Sequence, residues 1–586
     1  MRPIRLALLA ALLLSYTPCA ELLAATRQPV SAENGMVVTS QHLASDVGVA
    51  ILQQGGNAVD AAVAVGYALA VTNPCCGNIG GGGFATLHLA DGRDIFLNFR
   101  EKAPAAATET MFLDAKGEVV PDLSLKGYLA AGVPGSVMGL DTLLQKYGSL
   151  PRAAVMAPAI RLAREGFVLT RGDTDILNGQ AKAFALEPNV AAIFLNGAKP
   201  WAPGDRLIQT NLARTLELIA AQGPDAFYKG PIADAIVAAS QAHGGVLAKQ
   251  DFADYTVAEA APVRCNYRGY ELISAPPPSS GGTAICEILN VLEGYPMAEW
   301  GFHGSQSIHV MVEAMRHTFV DRNFELGDPA FVTNPLERLL SESYAAKIRA
   351  RIDSAKASNS KDVQPGIAPH EGNETTHYSI VDKAGNAVSV TYTINALFGA
   401  RVIAGETGFF LNDEMDDFTV KPGVANLFGL IQGKTNAIAP GKRPLSSMSP
   451  TIVIKDGRTF MVLGSPGGSR IITIVAEVLL NVADHGMTIQ EAVNAPRLHH
   501  QWLPDQITVE PFALSPDTRT ALEAMGHKIV EQTPWGAAEA ILIGPKAEAA
   551  AAASSGNDAM AGGKPAPGLY YGAHDDRRPA GAAAGY

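Results

Sequence analysis

Apolar positions along this chain recur at two spacings, and the switches between them mark out the elements. Gly35-Met36-Val37-Val38-Thr39-Ser40 alternates as a strand. Helical spacing follows through Gln53 and from Ala58 to Val71, with Gly55-Gly56-Asn57 as the cap between them. Phe84–Leu89 and Asp94–Phe99 read as a hairpin turned at Asp91-Gly92, with Arg100 at its exit. Residues 150–350 are mostly amphipathic helical stretches, clearest over Ala153–Glu165, Asn211–Ala221 and Ser305–Arg322. Ser354–Asn373 is polar and reads as a mobile linker. Beyond it come a hairpin from Thr375 to Asn395 turned at Asp382–Asn386, a loop-rich stretch from Ala404 to Ser449, and a hairpin at Thr451–Lys455 and Thr459–Leu463. A helix is predicted from near Arg470, and Lys546–Pro567 is a low-complexity Ala, Gly and Ser insertion. Helices segregated from hairpins in this way predict an α+β protein with two antiparallel sheets covered by helices.

Before Gly35 the pattern is different in kind. Arg2 and Arg5 precede an apolar run from Leu6 to Leu14 that is too short to span a bilayer. It reads as a signal peptide over residues 1–25, cleaved after Ala20 or Ala25, with an uncleaved anchor as the competing reading. Export follows, to the periplasm or to the medium. No stable membrane span is expected.

Composition adds two limits. With 47% apolar and 17% charged residues among 586, the chain is globular and long enough for a large core. A net charge of −12 with no long basic run argues against a nucleic-acid partner. Of the five cysteines, Cys75-Cys76 sit in a Gly-rich turn and Cys265 and Cys286 stand twenty-one positions apart. Disulfides are permitted. Buried thiols are the simpler reading, because adjacent cysteines rarely pair and zinc spacings are lacking.

The chemistry concentrates at Thr375-Thr376-His377-Tyr378-Ser379 and at Thr391-Tyr392-Thr393-Ile394-Asn395. A threonine hydroxyl is a weak nucleophile, but a free α-amino group on the same residue titrates at about 7.7–8.0 and can take its proton. That chemistry requires the Glu374–Thr375 bond to be cut, giving a large subunit, 26–374, and a small subunit, 375–586. Without further support, a Thr-Thr pair at a strand start is ordinary β-propensity.

Support comes from several motifs in order. The Thr375 run, Thr391-x-Thr393-x-Asn395, Asn98–Pro104, Pro444–Pro450 and Gly464–Arg470 resemble the γ-glutamyltranspeptidase family, from about Met36 to the C-terminus. The resemblance implies the four-layer αββα sandwich of N-terminal nucleophile hydrolases, formed jointly by two chains after self-cleavage. It implies a γ-glutamyl transferase and hydrolase acting on glutathione and related amides, with water or an amino acid or peptide as acceptor, and with neither cofactor nor metal. Thr375 is the implied nucleophile, Thr393 its hydrogen-bonding partner and Gly467-Gly468 the oxyanion donors; Thr391 is read as structural.

A γ-glutamyl donor carries a carboxylate and an ammonium on one carbon. Arg100 with Ser446 and Ser447 suits the carboxylate, and Asn395, Glu414 and Asp417 suit the ammonium. Read blindly, Arg100-Glu101-Lys102 is a solvated charge run, and Asp413–Asp417 lacks the spacing and glycine of a calcium loop. Phe428 stands where many bacterial relatives carry a lid tyrosine, which leaves the lid without a closing hydroxyl. Two alternatives are an acylase for glutaryl-type cephalosporin side chains and a catalytically silent exported binding protein.

Overall fold

The structure, a computed structural model, describes residues 26–363, 375–545 and 566–586. The signal-peptide reading, Glu374 and nearly all of the low-complexity insertion lie outside the described residues.

Two seven-stranded antiparallel sheets form the centre. One runs Ala582–Gly585, Gly35–Thr39, Thr376–Asp382, Ala387–Thr393, Gly82–His88, Asp94–Asn98 and Ala258–Ala260. The other runs Val30–Ala32, Tyr570–His574, Glu539–Ile543, Arg458–Gly464, Thr451–Lys455, Tyr270–Ser274 and Val263–Tyr267. Each contains strands from both sides of position 375, so a cut there would leave the two pieces held by sheet hydrogen bonds and shared core.

Alternation along the central strands builds the layers. Tyr378, Ile380, Val388, Val390 and Tyr392 pack outward against the helices His42–Gln53, Ala58–Thr72 and Ser136–Tyr147. Val381 and Ala387 point inward and meet Ile452, Val462 and Ile541 of the opposite sheet. On the far side Leu272, Val453 and Met461 pack against Gly281–Leu292, Ser305–Glu325 and Ile471–Ala483. The result is helix, sheet, sheet, helix, the arrangement the resemblance implies.

The hairpin that follows Thr375 is anchored at its turn. Asp382 Oδ1 accepts the N–H groups of Ala384 and Asn386, and Oδ2 accepts that of Ala58, the first residue of the buried Ala58–Thr72 helix. That helix is closed by a capping box between Asn57 and Asp60.

Three expectations change. Both cysteine pairs are bonded, Cys75 to Cys76 and Cys265 to Cys286, so the thiol reading fails: the second pair joins a strand to the first turns of a helix packed on it. The polar linker is ordered through Val363, because Ser360 is buried and its N–H bonds Asp505. The Ser305–Glu325 helix is buried on every face from Ser307 to Asn323, and His309, Arg316 and Arg322 bond to neighbouring elements instead of facing water.

Candidate active site

Thr376 pairs with Tyr392 in the hairpin register, which places Thr375 opposite Thr393 at the open end of the two strands. Both lie on the inward face, where the space between the sheets opens, and are only 5% and 2% exposed. Their hydroxyls stand 3.4 Å apart. One step further in, His377 Nδ1 is 2.8 Å from the Thr391 hydroxyl and Nε2 is 3.0 Å from that of Ser379. Burial pulls the His377 pKa down to about 3, so it is a neutral bridge within the interface between sheets and not a base. Thr391 therefore has the structural role expected of it.

A small cavity opens onto Thr375. It is lined by Arg100, Arg322, Thr393, Asn395, Glu414, Asp417, Phe428, Ser446, Ser447 and Gly468 among others. Nearly every residue singled out from the sequence is thus on one wall or another, although they come from separate loops and strands. Gly467 is next to the cavity without lining it. Its φ of 141° and the φ of 55° at Gly468 belong to glycine, and a Cβ on Gly468 would collide with the Phe428 ring. The turn leads through Arg470 into the helix Ile471–Ala483, so N–H groups cluster at a helix start, where negative charge is stabilised.

Asn395, with φ 72°, turns the chain out of the hairpin; its N–H donates to Thr393 Oγ1 at 2.8 Å and its side-chain amide to the Asp413 carbonyl at 3.0 Å. Thr393 is thereby fixed from behind while it faces Thr375.

The charged wall is denser than the sequence reading allowed. Arg100 is wholly buried, and its guanidinium contacts Glu414 through Nη1 and Asp417 through Nη2, with Glu101 at 3.6 Å. The solvated charge run is overturned at Arg100 and Glu101, because the hairpin delivers both into the interior. Burial opposes the Arg100 charge, yet Glu414, Asp417 and Glu101 together raise its pKa. Burial pushes Glu414 well above the usual carboxylate range, with Arg100 opposing. It pushes Glu101 up to about 7, again against Arg100. Burial thus favours the protonated forms of Glu414 and Glu101, against the pull of Arg100.

Arg322 and Glu101 were missed. Arg322 Nη1 donates to Gln432 at 2.8 Å, Nη2 to the Ser447 hydroxyl at 3.3 Å and Nε to that of Ser280 at 3.2 Å. Burial, with Arg100 nearby, lowers its pKa to about 10. Nothing in the spacing distinguishes it from the other polar residues of its helix; Glu101 was signalled only by adjacency to Arg100.

Phe428 is buried, and its loop closes through the backbone. Its N–H donates to Asn426 Oδ1 at 3.0 Å and its carbonyl accepts from Gln501 Nε2 at 3.2 Å. The missing hydroxyl leaves these bonds intact.

A threonine at the head of an inner-face strand, between paired sheets and beside an oxyanion-type turn, defines the class of N-terminal nucleophile hydrolases. Comparison narrows this. The family model for gamma-glutamyltranspeptidase matches residues 44–564, and the chain belongs to that family of enzymes. It is 57% identical over 565 residues to a glutathione hydrolase proenzyme of Pseudomonas sp. (strain A14), covering 96% of each chain. It is 50% identical to the glutathione hydrolase proenzyme of Escherichia coli (strain K12), over 89% of this chain and 90% of the relative. Among solved structures, a cephalosporin acylase from Bacillus halodurans superposes with a TM-score of 0.81 at 29% identity, covering 97% of this chain and 99% of that one.

Proposed function

We propose that this protein is an exported, self-processing γ-glutamyl transferase and hydrolase that acts on glutathione and related γ-glutamyl amides. The observation that carries the reading is the Thr375–Thr393 hydroxyl pair opening onto a cavity lined by two buried arginines, Arg100 and Arg322, and two buried acids, Glu414 and Asp417, with Glu101 behind Arg100. Such a wall matches a carbon bearing both carboxylate and ammonium.

In processing, the Thr375 hydroxyl attacks the Glu374 carbonyl, the amide rearranges to an ester with release of the Thr375 amine, and hydrolysis of the ester frees the Glu374 carboxylate and restores the hydroxyl. The products are the large subunit, 26–374, and the small subunit, 375–586, which stay together through the mixed sheets. In turnover the freed amine takes the hydroxyl proton as Oγ1 attacks the γ-carbonyl. The N–H groups of Gly467 and Gly468 receive the oxyanion, an effect of about 10²–10³ in rate for each donor. The amine then protonates the departing amine, leaving a γ-glutamyl ester that water or an acceptor amine resolves.

Donor binding divides the wall. The carboxylate lies toward Ser446, Ser447, Arg100 and Arg322. The ammonium lies toward Asn395, Glu414 and Asp417. Both subunits supply the pocket, since Arg100 and Arg322 precede the cut.

A Thr375→Ala variant tests the reading. It is expected to stay as one chain by N-terminal sequencing and intact mass, and to release no p-nitroaniline from a γ-glutamyl anilide. Processing and turnover in that variant would sink the proposal.

The glutaryl acylase reading has one observation in its favour, the likeness to a cephalosporin acylase. The acids at Glu101, Glu414 and Asp417 favour a donor with an ammonium. Turnover of γ-glutamyl over glutaryl substrate by at least about tenfold is expected, since an unmatched buried charge costs more than 1 kcal/mol.

A further inference from the structure

A second polar cluster lies on the helix that carries Arg322, about 20 Å toward its N-terminal end at 1.5 Å per residue. His309 and Glu313 are four residues apart on Ser305–Glu325 and so share a face. His527, between the helix Pro516–Ala524 and the strand Ile529–Glu531, meets them there. His309 Nδ1 is 2.8 Å from His527 Nε2, and one ligand atom from each of the three residues falls within 4.8 Å of the others. All three residues are buried.

Two details go beyond proximity. Glu313 Oε1 is held by the Ser358 N–H at 3.1 Å and by Arg316 Nε at 3.4 Å. Glu313 Oε2 is buried and has no hydrogen-bond partner among the described residues. An ionised carboxylate oxygen without a partner in a dry interior is costly, which points to a positive ligand. Arg316 does not reach it: its Nη1 is engaged by Asp505 and Ser360. The second detail is the orientation of His309. Its Nε2 donates to the Asp353 carbonyl at 2.7 Å, which leaves Nδ1 as a lone-pair donor and holds the ring as carbonyl-bonded metal ligands are held.

We propose that His309 Nδ1, Glu313 Oε2 and His527 Nε2 form a site for a divalent transition-metal ion of zinc type. The N₂O donor set and its burial suit zinc better than magnesium or calcium, which take oxygen ligands. In the metal-free state His527 Nε2–H donates to His309. On binding, that proton moves to Nδ1 of His527, and the two nitrogens separate to about 3.3 Å, the edge of a tetrahedron with bonds of 2.0–2.1 Å. His527 also lines an open cleft, together with Asp353, Met525 and His500, so one side of the cluster lies next to solvent. His309 and Glu313 precede position 375 and His527 follows it, so the ion would join the two chains of the processed enzyme at a point remote from Thr375.

The test uses the processed protein, purified without a metal-affinity tag and stripped with a chelator. Co²⁺ titration is expected to give the visible bands of a four-coordinate ion at one equivalent, and Zn²⁺ to displace them and raise Tm by a few degrees. Mg²⁺ at the same concentration should do neither. In His527→Gln, Co²⁺ and Zn²⁺ affinity should fall by more than the 10–100-fold that loss of an outer-shell partner costs, while a control at the exposed His243, His243→Gln, keeps it. Absence of the Co²⁺ bands in the unaltered protein would overturn the site, whether or not the variant folds. Equal affinity in His527→Gln would also overturn it.

Discussion

Arg100 and Arg322 line the same cavity, and both are buried, yet they are held in opposite ways. Arg100 sits among three carboxylates and its pKa is raised; Arg322 is held largely by hydroxyl and amide groups, and its pKa is lowered to about 10. A guanidinium already matched by anions has little attraction left for another. One solvated mainly by neutral dipoles retains most of its field. Arg100 therefore serves chiefly to hold Glu414 and Asp417, and on the proposed function Arg322, through Ser447, would reinforce the end that takes the donor carboxylate. The comparison teaches that a cation named from a motif can be as much a scaffold for its acids as a ligand for the substrate.

The largest expected effect comes from removing Arg100. Arg100→Met leaves buried acids without their counter-charge, and breaking such a pair costs about 3–5 kcal/mol. Chemical denaturation should show this loss, and kcat/KM for a γ-glutamyl anilide should fall by more than about 100-fold. Arg322→Met should separate the two roles: a change in stability below about 2 kcal/mol, because its partners are neutral, with KM raised about tenfold or more. Equal destabilisation by both variants would break the comparison.

A smaller effect comes from pH. Glu101 is raised to about 7 by burial against the pull of Arg100, so lowering pH through 7 adds a proton to the acid cluster. A donor ammonium favours the ionised cluster. KM for a γ-glutamyl donor should therefore rise below pH 7, by at most about tenfold per unit, and Glu101→Gln should flatten the profile. The same raised pKa means that Glu101 contributes stability at low pH which is lost as pH rises toward 7, so Glu101→Gln should also flatten that part of the stability curve. A glutaryl donor, without the ammonium, should show no such rise in KM.

Phe428→Tyr should do least. The Phe428 N–H bonds Asn426 within its own loop and its carbonyl ties the loop to Gln501, so an added hydroxyl is expected to change kcat/KM by no more than about fivefold, equivalent to about 1 kcal/mol. The ratio of transfer to hydrolysis, measured with and without a dipeptide acceptor, is the more sensitive readout.

How far the sequence could be read varies with the range of the interaction involved. The hairpin from Thr376 to Thr393 was legible because alternation and its turn are local, and the Thr375–Thr393 pairing follows from counting across that turn. Ser305–Glu325 was legible as a helix but not as a buried one, since its polar groups are met by the Asp353 backbone carbonyl, the Asp505 carboxylate and the Gln432 amide, all distant in sequence. The Cys265–Cys286 pair was undecided for the same reason: spacing does not say that a strand and a helix bring two sulfurs together.

By itself the sequence determined the class of chemistry, the order of the elements and most of the residues around the nucleophile, because strand register, turn type and motif order are set by near neighbours along the chain. Only the tertiary structure decided what those residues do to one another. It buried Arg100 with three acids, brought Arg322 from a distant helix to Ser447, and set Glu313 facing His527. Charge and burial act through space, and the free energy of a buried ion depends on whichever groups the fold places beside it.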